Sequence, residues 1–260
     1  MEKLIEKILS TDFYDRKETQ DDVLSVTELE KSIKELVLSR KFKEEIKTDP
    51  PNLDANLESL MGSGIHAILE EMDKDNPDAI TEMRLTTEVE GITVSGKFDR
   101  IDKPIWQMQD YKSTQMWTHL FDLRGEKHIP QLSTYRYLWT IVGNRELSDV
   151  GLVVRFIRDF KLAVKHSGIR KYVKNQGIEL PERGIVALPI PLWSMQKTGE
   201  NMRMKVEAYL EGMAMADIQQ VTCTDEEVWV NKGKWDKCGM YCSAARYCDQ
   251  FKKYKDRGGK

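Results

Sequence analysis

Asp99, Asp110 and Lys112 are the residues whose types and spacing point to chemistry. They lie in residues 95–114, SGKFDRIDKPIWQMQDYKST, which read as the end of one strand, a short turn and a second strand. Asp102, Lys103 and Pro104 mark the turn, because proline fits poorly inside a central strand. Ile105, Gln107 and Gln109 alternate with Trp106, Met108 and Asp110, the two-residue period of a strand. Asp110 and Lys112 are two apart and share a face, and Asp99 lies across the turn from them. Two carboxylates and a lysine meeting where two strands end would offer oxygen ligands to a hard divalent cation. The ammonium would then hold or activate a water beside it. A polar hairpin with a solvated Asp and Lys is the plainer reading of the same residues.

Three further elements would position this group. A helix over about residues 56–72 places Gly62, His66 and Glu70 four apart on one face, where the glycine admits a close neighbour. His66 is a candidate metal ligand through its neutral imidazole, and Glu70 either orients it or faces solvent. Residues 83–90 and a strand running on from 92 to 101 read as a hairpin turning at Glu90–Gly91, which delivers Asp99. Glu88 is a further candidate carboxylate on the neighbouring strand. After a loop over 113–126 containing Trp117, His119 and Arg124, a helix over 128–139 begins with Pro130 in its first turn. It sets Gln131 and Tyr135 one turn apart on one face.

Taken together, Gly96, Asp99-Arg100-Ile101-Asp102, Asp110-Tyr111-Lys112-Ser113, the Gly62/His66/Glu70 helix and the Gln131/Tyr135 helix resemble the PD-(D/E)XK nuclease superfamily. The closer likeness is to its RecB-like exonuclease branch, including the CRISPR-associated RecB-like exonucleases and phage homologues. The resemblance implies an α/β restriction-endonuclease-like core, a mixed central sheet flanked by helices. It implies a DNA nuclease acting as an exonuclease and serving replication, recombination or repair, with helicase or recombination proteins as candidate partners. By the same resemblance Mg²⁺ or Mn²⁺ would be held by His66, Asp99, Asp110 and the Tyr111 carbonyl. Lys112 would assist catalysis, and Gln131 and Tyr135 would hold DNA. Alternatives from other classes are a non-catalytic DNA-binding or assembly protein on the same scaffold, and an RNA-directed nuclease.

All four cysteines fall near the C-terminus: Cys223, Cys238, Cys242 and Cys248. Four thiolates so grouped suit Zn²⁺ or an iron–sulfur cluster, although the spacing matches neither a C-x2-C zinc pair nor a ferredoxin run. Related RecB-like nucleases join a C-terminal Cys triplet to an N-terminal Cys around a [4Fe–4S] cluster. Cys223 would have to serve as that fourth ligand here. Free buried thiols are the competing reading. The expected organisation is residues 1–220 as the nuclease domain and 221–260 as a Cys-containing segment packed on it.

With 260 residues, 40% hydrophobic and 32% charged, the chain has the composition of a globular protein. No apolar run is long enough to span a membrane, and MEKLIEKILS lacks a signal-peptide core, so a cytoplasmic location is expected. A net charge of −3 argues against a generally basic nucleic-acid binder but leaves room for local basic patches. Residues 161–180, basic and irregular with Tyr172 among them, are the candidate phosphate-tracking patch, with a solvated basic loop as the competing reading. No G-x-x-x-x-G-K-[ST] loop is present, so nucleotide triphosphates are not expected as partners. Of the remaining elements, residues 1–22 read as a short helix and polar loop, and 28–42 as a helix capped by Ser25 or Thr27 with solvated basic residues. Residues 149–160 and 184–190 read as strands, 193–215 as a long helix, and 251–260 as a frayed basic end.

Overall fold

The sheet that carries the candidate residues has five strands in the order β2-β5-β6-β7-β8. They are β2 (Ala79–Thr81), β5 (Arg100–Asp102), β6 (Gln107–Thr114), β7 (Val150–Ile157) and β8 (Ile185–Pro191). β6 and β7 run parallel and the other neighbours antiparallel, so the sheet is mixed, as expected. The computed structural model describes residues 21–48, 53–231 and 233–259. The helix expected over residues 1–22 lies almost wholly outside the described residues, as does most of the break expected over 48–54.

The chain divides into two compact units, the second formed by residues 58–86 and 96–199. It contains the five-stranded sheet, most of α3 (Leu53–Asp73), and the helices α4 (Met116–Phe121), α5 (Ile129–Ile141), α6 (Phe160–Ala163) and α7 (Ser167–Gln176). A parallel pair needs a crossover, and α4 and α5 supply it between β6 and β7. Apolar burial holds these helices down: Met116, Leu120, Ile157, Ala163, Ile169 and Val173 form one buried cluster. Residues 113–126 are therefore not all loop, and 161–180 are mostly helical rather than irregular. Their apolar positions sit at helical spacing but are too few per turn to show through the lysines.

The other unit comprises residues 1–57, 87–95 and 200–260. Its sheet has the order β1-β4-β3: β1 (Val23–Ser25) parallel to β4 (Ile92–Lys97), with β3 (Arg84–Val89) beyond. The β3–β4 turn places Glu90 and Gly91 at φ +48° and +80°, the positive pair that a tight hairpin requires. Around it lie α1 (Ile33–Lys41), α2 (Lys43–Thr48) and the larger part of α8 (Met195–Ala214). The tail adds α9 (Asp225–Val228), a two-strand ribbon of β9 (Val230–Asn231) and β10 (Lys234–Trp235), α10 (Asp236–Met240) and α11 (Asp249–Asp256).

Several expectations are corrected. The cap of α1 is Ser32, whose hydroxyl accepts the Glu35 N–H. Ser25 instead serves a 3-10 turn, exchanging hydrogen bonds with Glu28. Arg40 is buried, donating to the Val23 carbonyl and paired with Glu28 at 3.1 Å. Gly62 has no atom within 4 Å of where a Cβ would stand, so no close approach explains it. The C-terminal stretch is helical through Asp256, because Phe251 is buried. Among the described residues no helix is long and apolar enough to cross a membrane.

Candidate metal centre

The strand expected to run unbroken from 92 to 101 stops at Lys97 and resumes at Arg100 in the other sheet. Phe98 causes the break: fully buried, it meets the Trp139 ring edge-on at 5.8 Å. Asp99 sits in the bend. Past the last paired residues, β2–β5 register brings Glu82 opposite Asp99 and β5–β6 register brings Asp110 opposite it. The Glu82 N–H donates to the Asp99 carbonyl at 3.1 Å. Glu82 holds φ +53°, a left-handed conformation costly for a residue with a side chain.

Three ligand-type side chains meet there. The imidazole Nδ1 of His66, from the middle of α3, lies 3.3 Å from Asp99 Oδ1 and 3.7 Å from Glu82 Oε1. His66, Glu82 and Asp99 each offer one ligand atom, all within 4.8 Å of one another. Lys97 forms an ion pair with the second Glu82 oxygen. Arg100 fixes the helix that delivers His66, donating from Nε to Asp73, the last residue of α3, at 2.8 Å. Asp102 is turned to Arg100 and Gln109, and Glu70 is exposed. Glu88 does not join the group; it accepts from the Thr93 hydroxyl at 2.6 Å.

Strand β6 brings the second carboxylate and the lysine. It begins at Gln107, since Ile105 and Trp106 belong to the turn, Trp106 at φ +49°. Asp110 Oδ1 accepts from Lys112 Nζ at 2.9 Å, as the shared strand face requires. Its Oδ2 is buried with no hydrogen-bond partner, an arrangement costly unless a cation completes it. The Tyr111 N–H donates to Asp99 Oδ2 at 2.6 Å. In a strand the carbonyl of a residue points to the same side as its N–H, so the Tyr111 carbonyl is directed towards Asp99 as well. Gln131 and Tyr135 on α5 are both buried and bonded to each other at 3.2 Å.

The electrostatics follow from this crowding. Burial alone would lower the His66 pKa, but the hydrogen bonds that the imidazolium donates to Asp99 and Glu82 reverse it and raise it to about 10. Burial pushes Asp110 up to about 6, held back by the Lys112 ammonium. Asp110 and Asp99 raise Lys112 against the effect of burial. Burial raises Tyr135, which also feels Lys112, Asp110 and Asp99. Two carboxylates, a neutralisable imidazole and an orphaned carboxylate oxygen form a donor set that suits a hard divalent ion.

A family model of the PD-(D/E)XK nuclease superfamily matches residues 3–249. This chain belongs to the PD-(D/E)XK nuclease superfamily. Nucleases of this superfamily use divalent metal ions and act on nucleic acids. The fold is similar to that in the structure entitled "Crystal structure of SSO0001", with 17% identity, a TM-score of 0.55 and 95% of each chain covered. No curated protein matches the sequence. Sequence reasoning had assembled His66, Asp99, Asp110 and Lys112 but missed Glu82. Its only trace in the sequence is a carboxylate two residues before Arg84, with nothing to show a left-handed backbone.

The four cysteines lie in the other unit. Burial raises Cys223, brings Cys238 to about 11 and Cys242 to about 12, and the neighbouring Cys223 and Cys248 add to the rise at Cys238. Among the described residues no three of these sulfurs lie within 4.8 Å of one another.

Proposed function

We propose that the chain is a deoxyribonuclease of the RecB-like exonuclease branch, dependent on Mg²⁺ or Mn²⁺, serving DNA replication, recombination or repair. The observation that carries this reading is the meeting of His66, Glu82 and Asp99 within 4.8 Å, on the register that sets Asp99 opposite Asp110. We assign His66, Glu82, Asp99 and the free Oδ2 of Asp110 as side-chain ligands, with the Tyr111 carbonyl as a main-chain ligand. When bound, a divalent ion lowers the pKa of a water and polarises the scissile phosphate.

The chain's own groups do the rest. The Tyr111 N–H fixes the Asp99 carboxylate, so its second oxygen faces His66. Lys112, anchored at 2.9 Å by Asp110 and with its side chain 30% exposed, presents an ammonium beside the ligands. There it stabilises charge building on phosphate oxygens. Gln131 and Tyr135 are too buried to cover much of a DNA strand. They form the wall against which Lys112 and any bound strand are held.

End-labelled single- and double-stranded DNA, and RNA, incubated with Mg²⁺, Mn²⁺ or EDTA, tests the proposal. Metal-dependent loss of label from one end supports a DNA exonuclease; internal cuts, or cleavage of RNA alone, would refute the finer reading. An Asp110→Asn variant that cuts at the wild-type rate would remove Asp110 from the site. For the tail we propose an iron–sulfur cluster on Cys223, Cys238, Cys242 and Cys248, on the resemblance to RecB-like nucleases that carry one on a C-terminal Cys triplet. Visible colour with stoichiometric iron in anaerobically purified protein is the expected result, and a colourless zinc protein the opposing one.

A further inference from the structure

The nuclease reading leaves a group of aromatic rings unexplained. Trp117 and Phe121 stand one turn apart on α4, stacked at 5.6 Å and 21°. Tyr172 of α7 meets both edge-on, at 5.3 Å and 5.8 Å. Trp117 and Tyr172 are half-buried against the apolar cluster of α4, α6 and α7, which holds them rigid. Phe121, the outer ring, is 70% exposed. A large ring kept in water by a rigid base is an unmet apolar surface, and π faces favour another flat ring over an aliphatic chain.

The stretch from α6 through α7 is basic. Lys161, Lys165, Arg170, Lys171 and Lys174 are all exposed. Most acidic residues nearby are engaged: Asp159 accepts the Met116 N–H at 2.8 Å, Asp122 is paired with Arg155 and Glu58 with Arg158, which leaves Glu179 and Glu182. The patch is thus positive in a chain of net charge −3. Aromatic faces with flanking cations are the two components of a single-strand surface, the rings taking bases and the cations tracking phosphates. A duplex already stacks its bases internally and offers no free face. Helix α4 is tied to the site by sequence, since Trp117 is five residues past Lys112. That is a chain reach of at most about 17 Å.

We propose that Phe121, backed by Trp117 and Tyr172 and flanked by the α6–α7 cations, is a base-stacking platform that feeds an unpaired DNA strand to the metal centre. The platform names the substrate form and so rests on the nuclease reading. Binding in EDTA, without cleavage, separates the two. A fluorescein-labelled oligothymidylate of about 16 nucleotides is titrated with wild type as a single strand and as a duplex with oligoadenylate.

Wild type is expected to bind the single strand at least about tenfold more tightly than the duplex. Phe121→Ala and Phe121→Leu should each lose about tenfold for the single strand and nothing for the duplex. Phe121→Tyr, which keeps the ring, should bind as wild type. Replacing Lys171 by Gln should reduce the salt slope of single-strand binding by about 0.7. Equal affinity for duplex and single strand overturns the platform, as does a Phe121→Ala variant that binds like wild type. So does a Phe121→Leu variant that retains affinity, since an aliphatic contact would then suffice. Wild type that cleaves DNA in Mn²⁺ yet fails these binding tests keeps the nuclease and loses the platform. Wild type that passes them and cleaves nothing does the reverse.

Discussion

The backbone N–H of Tyr111 donates a 2.6 Å hydrogen bond to Asp99 Oδ2, so a main-chain group of β6 aims a carboxylate delivered from the bend between β4 and β5. Aim and charge can therefore be separated. Asp99→Asn keeps an oxygen for the Tyr111 N–H but removes the negative charge. The variant should fold with stability within about 1 kcal/mol of wild type and lose Mn²⁺ affinity by about a hundredfold. Calorimetric titration with Mn²⁺, beside a urea melt, measures both. An unchanged affinity would take Asp99 out of the ligand set.

Glu82 allows the opposite separation, because its backbone is strained and its side chain is not essential to packing. Left-handed φ costs a non-glycine residue roughly 1–2 kcal/mol, and glycine loses about 0.5–1 kcal/mol to chain entropy. The partly exposed Lys97 ion pair contributes about 0–1 kcal/mol. Glu82→Gly should therefore be nearly as stable as wild type and about 1 kcal/mol more stable than Glu82→Ala. Both should lose Mn²⁺ affinity by at least about tenfold. Urea midpoints in the order Ala above Gly would show that the strain is not there.

Asp110 and Lys112 were legible in the sequence because a two-residue period is local, and four-residue spacing likewise placed His66 on its helix. The mixed central sheet flanked by helices was expected from the resemblance. What escaped was set by long-range demands. Phe98 leaves its strand to be buried against Trp139, which residues 92–101 do not reveal. Glu82 reaches the site through the register of a three-residue strand too short to show periodicity. The helices α6 and α7 were hidden because buried Ile169 and Val173 stand among lysines, and helix or irregular coil fits such a pattern until the partner surface is known.

A buried ion pair holds the far side of β6. In the β6–β7 register Arg155 pairs with Lys112, and its guanidinium is almost fully buried. It donates to the Asp122 carbonyl at 2.5 Å, pairs with the Asp122 carboxylate, and lies 3.4 Å from His119 Nδ1. Arg155→Met leaves that carboxylate with only the more distant Lys127 at 3.8 Å and should destabilise the protein by about 3–5 kcal/mol. Arg155→Met with Asp122→Leu should recover much of the loss, because the uncompensated charge is gone. Urea melts of both single variants and the double provide the coupling. Additive losses would mean the pair is not coupled.

His128, at the start of α5, carries the clearest pH prediction. Burial, then the charges of Lys112, Lys127 and Arg155, lower its pKa from 6.5 to about 2. Asp122 lies 4.0 Å from Nε2 but is engaged by Arg155 and does not offset them. A folded-state pKa below the unfolded one means that the unfolded chain takes up the proton first. The neutral His128 therefore leaves stability intact above about pH 6.5 and erodes it as pH falls towards 2. Asp110, raised to about 6, opposes this between its folded pKa and the ordinary carboxylate value, gaining stability as acid is added. The wild-type profile thus mixes opposing contributions, and the difference from a His128→Asn variant isolates one. Stability of His128→Asn relative to wild type should rise steadily as pH is lowered from 7 to 4, by urea unfolding at each pH. Parallel curves would show that His128 takes up its proton as readily in the folded protein as in the unfolded chain, and the burial argument would fail with them.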